Sequence, residues 1–235
     1  MKVSAGLSPK TINNTLTCLH KLLDVAREWE IIENVPRIKW LKVPPQRFDF
    51  LNFDEAEKLV EAAKGEWRTM IIVALKTGLR QGELLELRWS DVNFTTKTLL
   101  VSRSYNRGYV SSPKNGRSRD VPLCDVVLEA LNAHYHDRSE LIFCDNSGKH
   151  LTDGQCKCPL YSACRGAGIR RIGWHVLRHS FASHLVMEGV SMKVVQELMG
   201  HSTMAMTMRY AHLCQEVKRE AVQVLNRHRT HIAQP

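Results

Sequence analysis

The stretch "HVLRHSFASHLVMEGVSMKVVQELMGHSTMAMTMRYAH", residues 175–212, says most about what this chain is. It opens with His175 and Arg178, three residues apart and so on one face of a helix. Leu177, Phe181, Leu185 and Val186 supply a separate apolar stripe for packing. Gly189 and Gly200 stand where helices stop, so helices are predicted over 175–188 and 191–199. Ser202 or Thr203 can cap a further helix over 203–211. His201 follows Gly200, and Tyr210 lies in that last helix beside Met204, Met206 and Met208. Flexible methionine side chains fill irregular core gaps. The methionines, with Met199, are therefore expected in the core, and Tyr210 is either a core aromatic at the end of this helix or a reactive group.

Working outward, charge narrows the partner. The chain has 235 residues and a formal net charge of +9. It is long enough to bury a full core, as one large domain or one domain plus an appendage. No acidic residue occurs between Asp153 and Glu188, a stretch holding Lys157, Arg165, Arg170, Arg171 and Arg178 with His175, His179 and His184. A one-signed segment inside a folded domain points to a polyanion, most often nucleic acid. No apolar run reaches the roughly 18–20 residues that span a bilayer. "MKVSAGLSPKTINN" lacks the apolar core of a secretory signal. Seven cysteines without a regular framework read as a reduced, cytoplasmic protein. Cys156, Cys158 and Cys164 are close together, but C-x-C lacks the gap of structural zinc pairs, so no metal is expected.

Local signals set the architecture. "LSPKTINNTLTCLHKLLDVAREWEII" is an amphipathic helix, capped by Ser8 with Pro9 at its first position and Leu16, Leu19, Leu22, Leu23 and Ala26 on one face. Pro36, Pro44 and Pro45 then break regular structure and place a boundary near residue 46. Beyond it, Asn52 or Asp54 caps a helix ended by Gly65, and "EWRTMIIVALKTG" is a buried central helix stopped by Gly78. A short helix restarts in "LRQGELLELRW". Leu99–Tyr105 is a strand, and "PKNGRSRDVPL" is a turn leading into an alternating strand. From Asp125 the chain is helical again, with a helix near 155–166. The class is mainly α with a small antiparallel β-sheet, α+β: a short helical segment and linker at 1–46, then a main domain at 47–235.

Arg80 projects where that short helix restarts, and Glu83 can orient it through a carboxylate–guanidinium pair. Lys114 sits at the turn of the basic hairpin. Each feature also has a plainer reading. Arg80 and Glu83 can be a surface salt bridge of little worth, Lys114 a solvated loop tip, and His175 with Arg178 a solvated face.

Taken in order, these residues resemble the tyrosine recombinase, or phage integrase, family. "TGLRQGELLELRWSDV" looks like its first arginine box, and 175–212 like its second, with the hairpin lysine between. The likeness spans roughly residues 50–228. It implies that Arg80 and Arg178 clamp a scissile phosphate, that His175 and His201 bond it and assist proton transfer, and that Lys114 protonates the departing 5′ oxygen. It further implies that Tyr210 is the nucleophile and Glu83 a supporting residue. The chemistry suits the residue types. Guanidiniums stabilise charge developing on the phosphate oxygens. A tyrosine, which titrates near 10, needs a cationic site or a base to attack at neutral pH.

The function implied is site-specific recombination of double-stranded DNA through a 3′-phosphotyrosyl intermediate, without ATP, metal or other cofactor, in a mobile element or in dimer resolution. Family members carry a larger helical core-binding domain, so residues 1–46 resemble a short, truncated form of it. They act as tetramers on paired sites, which implies that a helix predicted over 215–228 docks on a neighbouring subunit. The alternatives are an integrase remnant that only binds DNA and a type IB topoisomerase-like nicking and closing enzyme.

Overall fold

A computed structural model describes residues 6–43, 48–112, 116 and 118–214. The chain divides into two compact units, residues up to Phe48 and residues from Asp49.

In the first unit, helix α1 spans Pro9–Glu28, and its Ser8 cap accepts from the Thr11 backbone N–H. The segment after it folds back. Asn13 donates to the Leu41 carbonyl at 2.9 Å and accepts from the Leu41 N–H at 3.0 Å. The ring of His20 stacks on Trp40. Leu19 and Leu22, on the predicted apolar face, are exposed.

The second unit is built around helix α3, Glu66–Thr77, whose residues Met70–Leu75 are all buried. A helix apolar all round must lie inside, and each of its buried Met, Ile, Val and Leu side chains contributes about 1.5–3 kcal/mol by leaving water. It packs against α5 (Asp125–His134) and α7 (Trp174–Met187). Helix α2, Phe53–Ala62, opens with a capping box between Asn52 and Glu55. It packs on α6, Asp153–Gly166, which has a capping box of its own between Thr152 and Gln155. The short helix α4 covers Gln81–Leu85.

Strands β1 (Val92–Asn93), β2 (Thr98–Val101) and β5 (Arg119–Pro122) form an antiparallel sheet in the order β1-β2-β5, with Leu99 opposite both Val92 and Val121. Strands β3 (Ser104–Asn106) and β4 (Tyr109–Ser111) make a separate hairpin. Helix α8, Met192–Met199, is followed by α9, Met204–Thr207, and a 3-10 segment, Met208–Cys214.

Four expectations change. Gly65 does not end α2, which stops at Ala62; with φ 57° it opens α3 instead. The strand predicted over Leu99–Tyr105 breaks between β2 and β3. Arg103 lies at the break, where its guanidinium donates to both oxygens of Asp91, at 2.7 and 2.8 Å. The helix predicted over 203–211 tightens to 3-10 geometry at Met208. Arg170 does not add to the positive field expected of residues 153–188. Its guanidinium lies 2.5 Å from carboxylate oxygens of both Asp49 and Glu55, and it also donates to the Phe50 carbonyl at 2.6 Å. Its charge is locally neutralised, and it ties the start of this unit to the turn before α7.

Among the described residues no helix is long and apolar enough to cross a membrane. Cys156 and Cys164 are buried on α6 and Cys158 is exposed.

Candidate active site

The site forms where α3 stops. Gly78 adopts the left-handed conformation, φ 63°. A Cβ there would lie 2.3 Å from the ring of Phe181, so only glycine lets this turn rest against α7. Arg80 follows as the cap of α4, and Glu83 holds it twice. One carboxylate oxygen accepts the Arg80 backbone N–H at 2.9 Å, and the other accepts its Nη1 at 2.8 Å. Arg178 reaches the same turn from α7. It donates through Nη1 to the Gly78 carbonyl and through Nη2 to the Met199 carbonyl, the latter at 2.5 Å. It is only 2% exposed.

Glu83 is buried beneath these arginines and is also held by Arg119 of β5, whose two terminal nitrogens meet its two oxygens at 3.1 and 2.7 Å. Burial pushes the Glu83 carboxyl up. The Arg119 hydrogen bond and charge, the Arg80 backbone N–H and the charge of Arg178 more than offset that, and hold it at about 2. A fixed carboxylate among three guanidiniums leaves a net positive centre. Burial, then the charge of Arg80, draws Arg178 down to about 9, with Glu83 opposing, so it stays cationic at neutral pH.

His201 joins from the left-handed turn at Gly200 that ends α8. Its Nδ1 pairs with the Thr207 hydroxyl at 2.8 Å, which fixes the ring. Burial and the charges of Arg178, Arg80, Arg209 and Arg119 lower it to about 3.

Tyr210 lies in the 3-10 segment that packs on α7. Its hydroxyl is 2.7 Å from Nδ1 of His179. Burial raises its pKa against the opposing charges of Arg178 and Arg209, so the phenol is protonated. His179 is lowered to about 4 by burial, then by the charges of His175, Arg209 and Arg178, so this pair is neutral. His175 is exposed and meets the His179 ring edge-on, with centroids 5.0 Å apart.

Of the four methionines expected in the core, Met199 lies in it and Met204 and Met208 lie outside it, while Tyr210, the implied nucleophile, is buried. Tyr210 is 1% exposed, whereas Met204 and Met208 are 37% and 52% exposed; Met199 is buried and Met206 half-buried. Thr207 and Tyr210, three residues apart, share the face turned inward, while Met204 and Met208 are turned out.

Arg80, Glu83, Arg178, His201 and Tyr210 thus come together, with His175 one ring away. Lys114 and the helix predicted over 215–228 lie outside the described residues. Two members of the cluster, His179 and Arg119, had no assigned place. For Arg119 a signal existed. On a strand, residues two apart share a face, and Val121 is buried. A charged residue at that inward position needs a buried partner.

A stability prediction follows from the two histidines. Both fall below the ordinary value of 6.5, so the unfolded chain binds protons that the folded one refuses. Their contribution is complete above about pH 6.5. It is lost as pH falls toward about 4 for His179 and about 3 for His201. Melting curves at pH 7, 6, 5 and 4 should show a falling Tm, less steep in His179→Asn. A Tm unchanged over that range would contradict the burial of both rings.

Comparison with known proteins gives the family and the fold. The sequence profile of the phage integrase family matches residues 49–216. A tyrosine recombinase of Thermosipho africanus (strain TCF52B) is 32% identical over 230 residues, covering 94% of this chain and 78% of that protein. The integrase of Salmonella phage P22 is 28% identical over 211 residues, covering 84% of this chain; the match spans about half, 52%, of that protein. In fold, the chain is similar to the Tn1549 transposon integrase, solved in complex with transposon right end DNA. The TM-score is 0.80 at 24% identity, over 95% of this chain and 81% of that one. It is also similar to the crystal structure of XerA recombinase, with a TM-score of 0.61 at 27% identity, over 80% and 68% of the two chains.

Proposed function

The chain belongs to the phage integrase family of tyrosine recombinases, and from that premise we propose that it is a site-specific DNA recombinase using Tyr210 as a covalent nucleophile. One observation carries this reading. Arg80, Arg178 and His201 converge on one net-positive centre, and Tyr210 lies within the field of Arg178.

The Tyr210 oxygen attacks the scissile phosphorus of duplex DNA and gives up its proton to the imidazole of His175 or His201. The bond from phosphorus to the 5′ oxygen breaks, and a 3′-phosphotyrosyl ester forms. Arg80 and Arg178 stabilise the charge developing on the non-bridging oxygens, as preorganised donors do best in a water-poor site. Thr207 fixes His201 through Nδ1, so Nε2 is the nitrogen that a phosphate oxygen meets. His175 assists from the exposed side, and Lys114 protonates the leaving 5′ oxygen. The ester conserves the bond, so a second strand's 5′ hydroxyl can reverse the step without ATP. The fixed guanidiniums do the electrostatic work that a metal does elsewhere. The Tyr210 hydroxyl also pairs with Nδ1 of His179, at 2.7 Å. Exchange between two duplexes needs four such centres, and the tetramer forms through the segment after Leu213. Such an enzyme works in the cytoplasm.

The test uses a pool of nicked duplexes with randomised arms. The expected product is a protein–DNA species that survives denaturation, formed on a restricted set of sequences. Complexes that only dissociate with salt would replace this reading with DNA binding alone. Relaxation of supercoiled plasmid regardless of sequence would replace it with a nicking and closing activity.

A further inference from the structure

We propose that Arg119 is a positioning residue for strand cleavage: it holds the Glu83 carboxylate and the α8 turn so that Arg80, Arg178 and His201 present themselves to one phosphate. The inference rests on the reading of Tyr210 chemistry above.

Arg119 is the first residue of β5, and its side chain is 11% exposed. It reaches two other elements at once. Nη1 and Nη2 donate to the two oxygens of Glu83, at 3.1 and 2.7 Å. Nε donates to the carbonyl of Leu198, in the last turn of α8, at 3.1 Å. The next carbonyl along, that of Met199, accepts from Arg178. Gly200 follows, and a Cβ there would stand 3.0 Å from Arg119 Cδ and 3.1 Å from its Nη1. The turn that delivers His201 is therefore moulded on the Arg119 side chain. Gly200 keeps φ 59°, where a side chain would be strained as well as crowded.

The division of labour around Glu83 shows why a second arginine is there. A buried carboxylate must be neutralised. If Arg80 were its only close cation, the Arg80 guanidinium would be drawn fully onto it and away from substrate. Arg119 takes both oxygens in a forked pair. Arg80 then uses one side-chain nitrogen on Glu83 and keeps the others for a ligand. The fork needs planar, paired donors, which lysine lacks.

The experiment takes a duplex recovered by covalent selection with the wild-type protein. It compares wild type, Arg119→Gln, Arg119→Lys, Glu83→Gln and the Arg119→Gln/Glu83→Gln double variant. Single-turnover cleavage and DNA affinity are measured at a temperature where circular dichroism shows each to be folded. Arg119→Gln should cleave on the order of 10²-fold more slowly, with Kd within about 2-fold, and Arg119→Lys should recover only part of the loss. The double variant should be no slower than Arg119→Gln, because both changes break one unit.

A methylphosphonate at the scissile position removes one anionic oxygen and so relaxes the demand on the clamp. The Arg119→Gln deficit should shrink there. It should persist on a 5′-bridging phosphorothiolate, whose leaving group needs no acid. Wild-type rates in Arg119→Gln, losses that multiply in the double variant, or rescue by the phosphorothiolate alone would each overturn the proposal. A wild-type protein that forms no adduct on any linkage would instead remove the reading beneath it.

Discussion

Arg178→Ala is expected to lower strand cleavage by about 10²–10³-fold, the usual cost of losing one preorganised donor to a developing oxyanion. It should also cost stability. The side chain is 2% exposed and bridges the carbonyls of Gly78 and Met199, one at each end of the site. Each buried carbonyl left unpaired costs about 1–3 kcal/mol. The nearby carboxylate of Glu83, which feels the Arg178 charge, also loses part of its neutralisation. Arg178→Lys separates the two effects. An ammonium keeps the charge but cannot bridge two carbonyls while offering a flat edge to a phosphate. The lysine variant should melt closer to wild type than the alanine variant, yet remain slow. Single-turnover cleavage and thermal melting measure the two quantities. Full activity in either variant would take Arg178 out of the clamp.

Tyr210→Phe should abolish the covalent product, a loss on the order of 10⁴-fold or more, the scale for removing a covalent nucleophile. Its stability cost should be small. The ring stays in place, and only the hydroxyl contact with His179 is lost, worth about 0.5–1.5 kcal/mol. DNA affinity should be little changed, because the phosphate is bound by cations and not by the phenol. Burial keeps Tyr210 protonated and away from solvent.

Much of this was legible from single residues. The arginine at a helix start was marked by the glycine before it, and Gly78 and Gly200 take left-handed turns as their positions imply. Arg80, Glu83, Arg178, His201 and Tyr210 then follow from the order in which the resemblance places them. What was not legible depends on contacts across the chain. His179 meets Tyr210 over 31 residues of sequence separation. Nothing local distinguishes it from the other histidines of α7. Arg170 looked like one more cation in a basic run, but Asp49 and Glu55, far away in sequence, neutralise it. The burial of Tyr210 depends on how its segment packs on α7, a contact across the chain that the spacing of residues 203–211 does not show. The α+β class was simpler to read, because Met70–Leu75 is apolar on every side and can only be central.

The central claim is that one oxygen, that of Tyr210, becomes bonded to DNA. The direct measurement is to isolate the denaturation-resistant adduct from wild type, digest protein and DNA, and sequence the modified peptide by mass spectrometry. The account predicts a nucleotide 3′-phosphate carried on the peptide containing Met208, Arg209 and Tyr210, attached at Tyr210, and no such species from Tyr210→Phe. A nucleotide found on any other residue, or an adduct undiminished in Tyr210→Phe, would contradict it.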